Sequence, residues 1–163
     1  MATRLEKILY RLEAQHACIT WALQQISGRP GVVFEIGLGL GRTFHHLRHH
    51  LPDRRIVVFE RQIQSYPDCT PDRDQLVLGE LGETLPAAAH QFEGQVILAH
   101  SDVGTFEADH NAAMAKLVSA HLPPALAPGA IVMSDLPLEL EGAQALDLPD
   151  GARAGRYYLY QMP

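Results

Sequence analysis

Val32-Val33-Phe34-Glu35-Ile36-Gly37-Leu38-Gly39-Leu40-Gly41 is the stretch whose reading decides the fold. A short apolar strand arrives at an acid, glycines follow at every second position, and a helical segment over 43–51 comes next. Glycine lets the backbone turn tightly and approach a ligand closely, because no Cβ stands in the way. The helix beyond such a turn points its free N–H groups at whatever lies over the loop. Strand, glycine loop and helix in that order make a nucleotide-type site.

The spacing selects among ligands. A dinucleotide fingerprint needs G-x-G-x-x-G, and Arg42 stands where its third glycine would fall. A P-loop needs a Gly-Lys-Ser/Thr end, and no lysine is present in the run. The next strand, 55–60, ends on Glu60, whose carboxylate can accept two hydrogen bonds from a ribose diol. The loop and Glu60 together resemble motif I and the following acid of the class I S-adenosylmethionine-dependent methyltransferases.

More of the chain, from about 32 to 136, is similar to that family. Leu78-Gly79-Glu80 with Glu83-Thr84-Leu85-Pro86 looks like its adenine-pocket segment. Leu126-Ala127-Pro128-Gly129-Ala130 resembles its Leu-x-Pro-Gly-Gly turn, with Ala130 in place of the second glycine. The resemblance implies S-adenosyl-L-methionine as cofactor. It also implies a binding set of Glu35, Gly37, Gly39, Gly41, Arg42, Thr43, Glu60, Arg61, Gly79, Glu80, Leu81, His100, Ser101 and Asp102.

Short apolar strands at 32–36, 55–60, 75–78, 95–99 and 130–133 alternate with helices at 43–51, 87–91 and 109–122. Nearly continuous apolar strands between helices mean a parallel sheet covered on both faces. The expected fold is therefore α/β, a three-layer Rossmann-like sandwich. By the resemblance, 156–161 supplies a C-terminal antiparallel strand. Pro137, Gly142, Pro149 and Gly151 interrupt the region before it, so the sheet is expected to be shortened, with 138–148 a loop, a short helix or a poor strand. The whole of 1–163 reads as a single domain, with 1–28 as an N-terminal helical segment.

In that segment Leu5, Ile8, Leu9, Leu12, His16, Ile19, Leu23 and Ile26 form one helical stripe. Tyr10, Ala14, Ala17 and Trp21 form a second on the opposite side. A helix with two apolar faces touches two things. The first stripe is expected on the body of the domain, and the second on a partner subunit or substrate cover, which makes a homo-oligomer the expected state.

Ligands of an open parallel sheet sit outside the strand C-termini, where the strand order reverses. His100-Ser101-Asp102 follows the fourth strand, so His100 and Asp102 are the candidate catalytic residues, with Ser101 as a positioning group. Asp102 has the alternatives of capping the next helix or touching the methionine amino group. Some members of the family hold a divalent cation with acids after the fourth and fifth strands plus an adjacent Asn. Here Asp135 is followed by Leu136, and no metal is expected. His45 and His49, like His46 and His50, lie one helical turn apart. Either pair could bind a transition metal, but no third ligand accompanies them, and the run reads as a solvated helix face. Trp21, Tyr157, Tyr158 and Tyr160 read as packing residues.

At 163 residues and 47% hydrophobic, the chain can bury a real core. A formal net charge of −6 argues against nucleic acid. Cys18 and Cys69 have neither disulfide nor metal spacing, and no signal peptide or membrane span is apparent, so a cytoplasmic protein is expected. The function that follows is methyl transfer to a small-molecule acceptor that the sequence does not identify. The alternatives are a non-catalytic module binding S-adenosylmethionine or S-adenosylhomocysteine, and a nicotinamide-dependent oxidoreductase.

Overall fold

The computed structural model describes residues 1–163. Its strands are β1 (Val32–Ile36), β2 (Ile56–Glu60), β3 (Leu76–Leu78), β4 (Val96–Ser101), β5 (Leu126–Ser134), β6 (Gln144–Leu146) and β7 (Tyr158–Gln161). Its helices are α1 (Arg4–Gln25), α2 (Arg42–His50), α3 (Leu81–Gln91) and α4 (Ala108–His121). The strands form one sheet in the order β3-β2-β1-β4-β5-β7-β6. β1 to β5 pair in parallel, and β7 lies antiparallel between β5 and β6.

Alternation along the strands builds two cores. Val33, Val58, Leu98, Ile131 and Met133 face α1 and α2. Phe34, Ile36, Phe59, Ala99 and Val132 face α3 and α4. Every residue of β1 and β4 is buried, which is what a central parallel strand covered on both sides requires. The three-layer α/β sandwich is the fold expected from the sequence. Strand order reverses between β1 and β4, so the loops that follow these two strands meet at the same edge.

The C-terminal part corrects the expectation of a shortened sheet. All seven strands are present, with β6 inside the stretch left open between loop, helix and strand. What the chain lacks is a helix between β5 and β6. The Leu126–Ala130 turn is likewise part of β5, where Gly129 takes φ 70° and the register with β4 slips between Val96 and Leu98. α3 starts six residues earlier than expected. It runs through Pro86, because burial of Leu85, Ala88 and Ala89 outweighs the one backbone hydrogen bond that proline removes.

α1 starts at a capping box, with the Glu6 amide donating to Thr3 Oγ1 and the Thr3 amide to Glu6 Oε2. Its buried face is Ala14, Gln15, Cys18, Ile19 and Ala22, so only the later part of the first stripe, Ile19 and then Ile26, meets the body of the domain as expected. Leu5, Ile8, Leu9 and Leu12 are 77, 56, 48 and 37% exposed. The stripe assigned to a partner is instead met by the chain itself. Arg153 stacks 3.6 Å over the Tyr10 ring, and Pro149 to Arg153 line one groove with Ala17 and Trp21. The stripe therefore gives no argument for a second subunit. No helix is long and apolar enough to cross a membrane.

Candidate functional site

The glycine loop sits between the end of β1 and the start of α2, and each glycine has its own reason. Gly37, Gly39 and Gly41 take φ of 92°, 52° and 83°. A Cβ on Gly37 would overlap the Asp102 carbonyl oxygen, and one on Gly41 the Cys69 carbonyl oxygen. Around Gly39 there is nothing within 4 Å, and the residue is exposed. The loop is thus held at both ends and open in the middle.

Glu60, at the tip of β2, ties this loop down. Its Oε2 accepts from the Leu38 and Gly39 amides at 3.0 Å each, and its Oε1 from Arg61 at 2.7 Å and Gln62 at 3.3 Å. Gly79 and Glu80 follow β3 at the same edge, where the Gly79 amide donates to the Glu60 carbonyl at 3.1 Å. Glu80 and Leu81 open α3, and the Glu80 side chain is exposed. Arg42 at the start of α2 is exposed too, whereas the Thr43 hydroxyl turns inward and donates to Glu35 Oε1 at 2.6 Å.

Glu35 and His100 are neighbours across the β1–β4 pairing and are fully enclosed. His100 Nδ1 lies 2.9 Å from Glu35 Oε2, and its Nε2 lies 3.0 Å from the Tyr157 hydroxyl. Burial works against charge on this imidazole, but the Glu35 carboxylate outweighs it and the pKa is raised. With both nitrogens engaged inside the core, His100 cannot meet a methyl acceptor directly. Its place is that of a positioning residue, which amends the catalytic role expected for it. Ser101, also fully buried, has a hydroxyl without a partner.

Asp102 does reach the open edge. Its amide donates to the Ile36 carbonyl at 2.9 Å, which fixes the start of the loop after β4. Its carboxylate accepts from the Arg11 guanidinium and, at 2.8 Å, from Gln15 Nε2. The same Gln15 amide donates to the Tyr157 hydroxyl at 2.7 Å. Asp135, just past β5, accepts from the Gly104 amide at 2.8 Å and lies 3.9 Å from Arg11. Burial first, then the adjacent Asp102, push the Asp135 carboxyl up to about 6. An unbroken polar chain therefore runs from Thr43 through Glu35, His100, Tyr157 and Gln15 to Asp102.

Three members of this chain of contacts escaped the sequence reading. Arg11 and Gln15 are one helical turn apart and flank the small residues on which α1 packs, a faint signal. Tyr157 gave none beyond its aromatic neighbours, because its partner lies 57 residues away.

An open glycine loop, a carboxylate clamping it from β2 and acids after β4 and β5 are a donor set that suits an adenosyl cofactor. The family model for S-adenosyl-L-methionine methyltransferases matches residues 2–162. The chain belongs to that family. The chain is also 41% identical to an S-adenosyl-L-methionine methyl transferase from Silicibacter pomeroyi DSS-3, over 100% of both chains with a TM-score of 0.95. Its fold is shared with a putative caffeoyl-CoA O-methyltransferase from Staphylococcus aureus, at 11% identity, TM-score 0.58, and 100% and 85% of the two chains. The 1,6-didemethyltoxoflavin-N1-methyltransferase of Burkholderia thailandensis, solved with S-adenosylhomocysteine, shares it at 15% identity, TM-score 0.54, and 91% and 76% coverage. No curated protein matches the chain.

Proposed function

We propose that the chain transfers a methyl group from S-adenosylmethionine to a small-molecule acceptor. The observation that carries this reading is the Glu60 carboxylate bound to the Leu38 and Gly39 amides at the edge where Asp102 emerges. Bound there, S-adenosylmethionine would supply an electrophilic methyl to an acceptor lone pair, with S-adenosylhomocysteine as the leaving group. Glu60 is suited to the ribose hydroxyls, since its long contact with the Gln62 amide is readily exchanged. Glu80 and Leu81 suit the adenine, and exposed Gly39 leaves room for the ligand to come close to the backbone.

Asp102 is the side chain offered to the acceptor. A base helps only if the acceptor carries a proton at neutral pH. In that case Asp135, with its carboxyl near 6, lies beside Asp102 to share the proton. His100 and Tyr157 hold Gln15, and Gln15 holds Asp102, so these three orient the carboxylate.

Thermal unfolding with S-adenosylmethionine, S-adenosylhomocysteine and NADH added separately tests the reading. A ligand at about 100 times its dissociation constant adds about 2.7 kcal/mol. The sulfonium ligand or its product should raise the melting temperature of the wild type and not of Glu60→Ala. A rise with NADH alone would favour the oxidoreductase alternative. Stabilisation without release of S-adenosylhomocysteine across an acceptor panel would favour the binding-only module, which the hold of Arg11 on Asp102 supports.

A further inference from the structure

Glu35 is a buried carboxylate to which the proposed methyl transfer gives no part. Its side chain is fully enclosed, so it does not reach a ligand over the open glycine loop. Its partners are inside the chain. Oε1 accepts from the Thr43 hydroxyl at 2.6 Å, and the two carboxylate oxygens lie 3.1 and 2.9 Å from His100 Nδ1. An ionised carboxylate only accepts hydrogen bonds, so Nδ1 carries a hydrogen whether the ring is neutral or charged. We propose that Glu35 is a positioning residue and not a cofactor ligand: by holding that hydrogen on Nδ1 it orders the line of hydrogen bonds that ends on Asp102. The role rests on Asp102 being the side chain offered to the acceptor.

Only one order of hydrogens satisfies every member of the line. Asp102 accepts, so the Gln15 atom facing it at 2.8 Å is the amide nitrogen. The same nitrogen lies 2.7 Å from the Tyr157 hydroxyl, and its two hydrogens serve these two partners. The Tyr157 oxygen is thus an acceptor toward Gln15, and its own hydrogen points at His100 Nε2, 3.0 Å away. Nε2 of the neutral ring takes that hydrogen only while the ring's own sits on Nδ1, where Glu35 holds it. Protonation of His100 puts a hydrogen on Nε2 too, so the order belongs to the neutral ring. The acids acting on that ring are Glu35 from β1, Asp102 after β4 and Asp135 after β5, and Arg11 of α1 lies against the last two. An amide at position 35 would offer Nδ1 a hydrogen instead. The ring hydrogen then moves to Nε2, opposes that of Tyr157, and leaves a buried hydroxyl hydrogen without an acceptor. Gln15 loses its fixed partner, and Asp102 its fixed orientation.

The test is nitrogen NMR of the full chain at about pH 9, well above the ordinary histidine pKa, with calorimetric titration of S-adenosylhomocysteine alongside. The wild type should show a hydrogen on His100 Nδ1 and none on Nε2. Glu35→Gln should move it to Nε2 and let the Gln15 side-chain hydrogens exchange about tenfold faster. The same variant should bind S-adenosylhomocysteine as the wild type does. Tyr157→Phe should keep the hydrogen on Nδ1 and speed the same Gln15 exchange, which keeps the line testable if Glu35→Gln does not fold. Lost S-adenosylhomocysteine binding in a folded Glu35→Gln would make Glu35 a cofactor ligand and overturn the proposal. A wild-type hydrogen on Nε2, alone or in a ring still charged, would overturn it too, as would unchanged Gln15 exchange in Tyr157→Phe. Failure of the wild type to bind S-adenosylhomocysteine would remove the methyltransferase reading and this role with it, whereas the hydrogen placement is read without ligand and fails on its own.

Discussion

Gly37 and Gly39 lie two residues apart with positive φ, yet they should respond differently to the same change. Gly39→Ala meets no neighbour and carries only the left-handed backbone strain, about 1 kcal/mol. It should fold, melt slightly lower and lose affinity for S-adenosylhomocysteine. Gly37→Ala drives a methyl into the Asp102 carbonyl, which is backbone and cannot step aside. It should destabilise by about 3 kcal/mol or more in urea unfolding. Both positions were legible in the sequence as part of the loop. The difference between them was not, because Asp102 is 65 residues away along the chain and only the β1–β4 pairing brings it there. The same holds for His100. Its strand was plain, but enclosure by Glu35 and Tyr157 is a property of three distant segments.

α1 shows what an element adds to its residues. Its helical period was evident, but two faces competed, and of the more hydrophobic one only Ile19 and Ile26 are buried. The larger side chains lie at the exposed end, while Ala14, Cys18 and Ala22 let the helix sit close to the sheet. Ala22→Leu should therefore cost about 1–3 kcal/mol by overpacking, whereas Leu9→Ala, at a 48% exposed position, should stay within about 0.5 kcal/mol. Chemical unfolding of the two variants measures the contrast. Burial also pushes the Cys18 thiol up to about 11, so thiol reagents should label it only as the helix lifts away.

At the scale of the molecule, the enclosed titratable groups set a pH dependence. Asp135 has its folded pKa raised to about 6, against about 3.9 in an unfolded chain. The folded protein then holds more protons than the unfolded one from about pH 4 to 6, so stability falls as pH rises through that window. The raised pKa of His100 acts in the same direction, with its stabilisation present below about 6.5 and lost above it. Melting temperature should fall between pH 5 and 8. Asp135→Asn should remove the lower part of the fall, on the order of 2 kcal/mol, and slightly reduce the part due to His100, whose pKa is raised chiefly by Glu35 and to a lesser degree by Asp102 and Asp135. A melting profile of both proteins across this range would show a flat lower window in the variant. An unchanged profile would refute the account of Asp135.

The sequence by itself determined the parallel α/β framework, the glycine loop and the acid at the tip of β2. Each of these rests on local physics: alternation, the conformational freedom of glycine, and the residue that ends a strand. Tertiary structure alone decided which face of α1 is buried and that the sheet keeps all seven strands. It also joined Arg11, Gln15 and Tyr157 to Asp102 and His100. Those contacts span 57 to 142 residues of sequence, and no periodicity within a single element records which distant side chain will meet it.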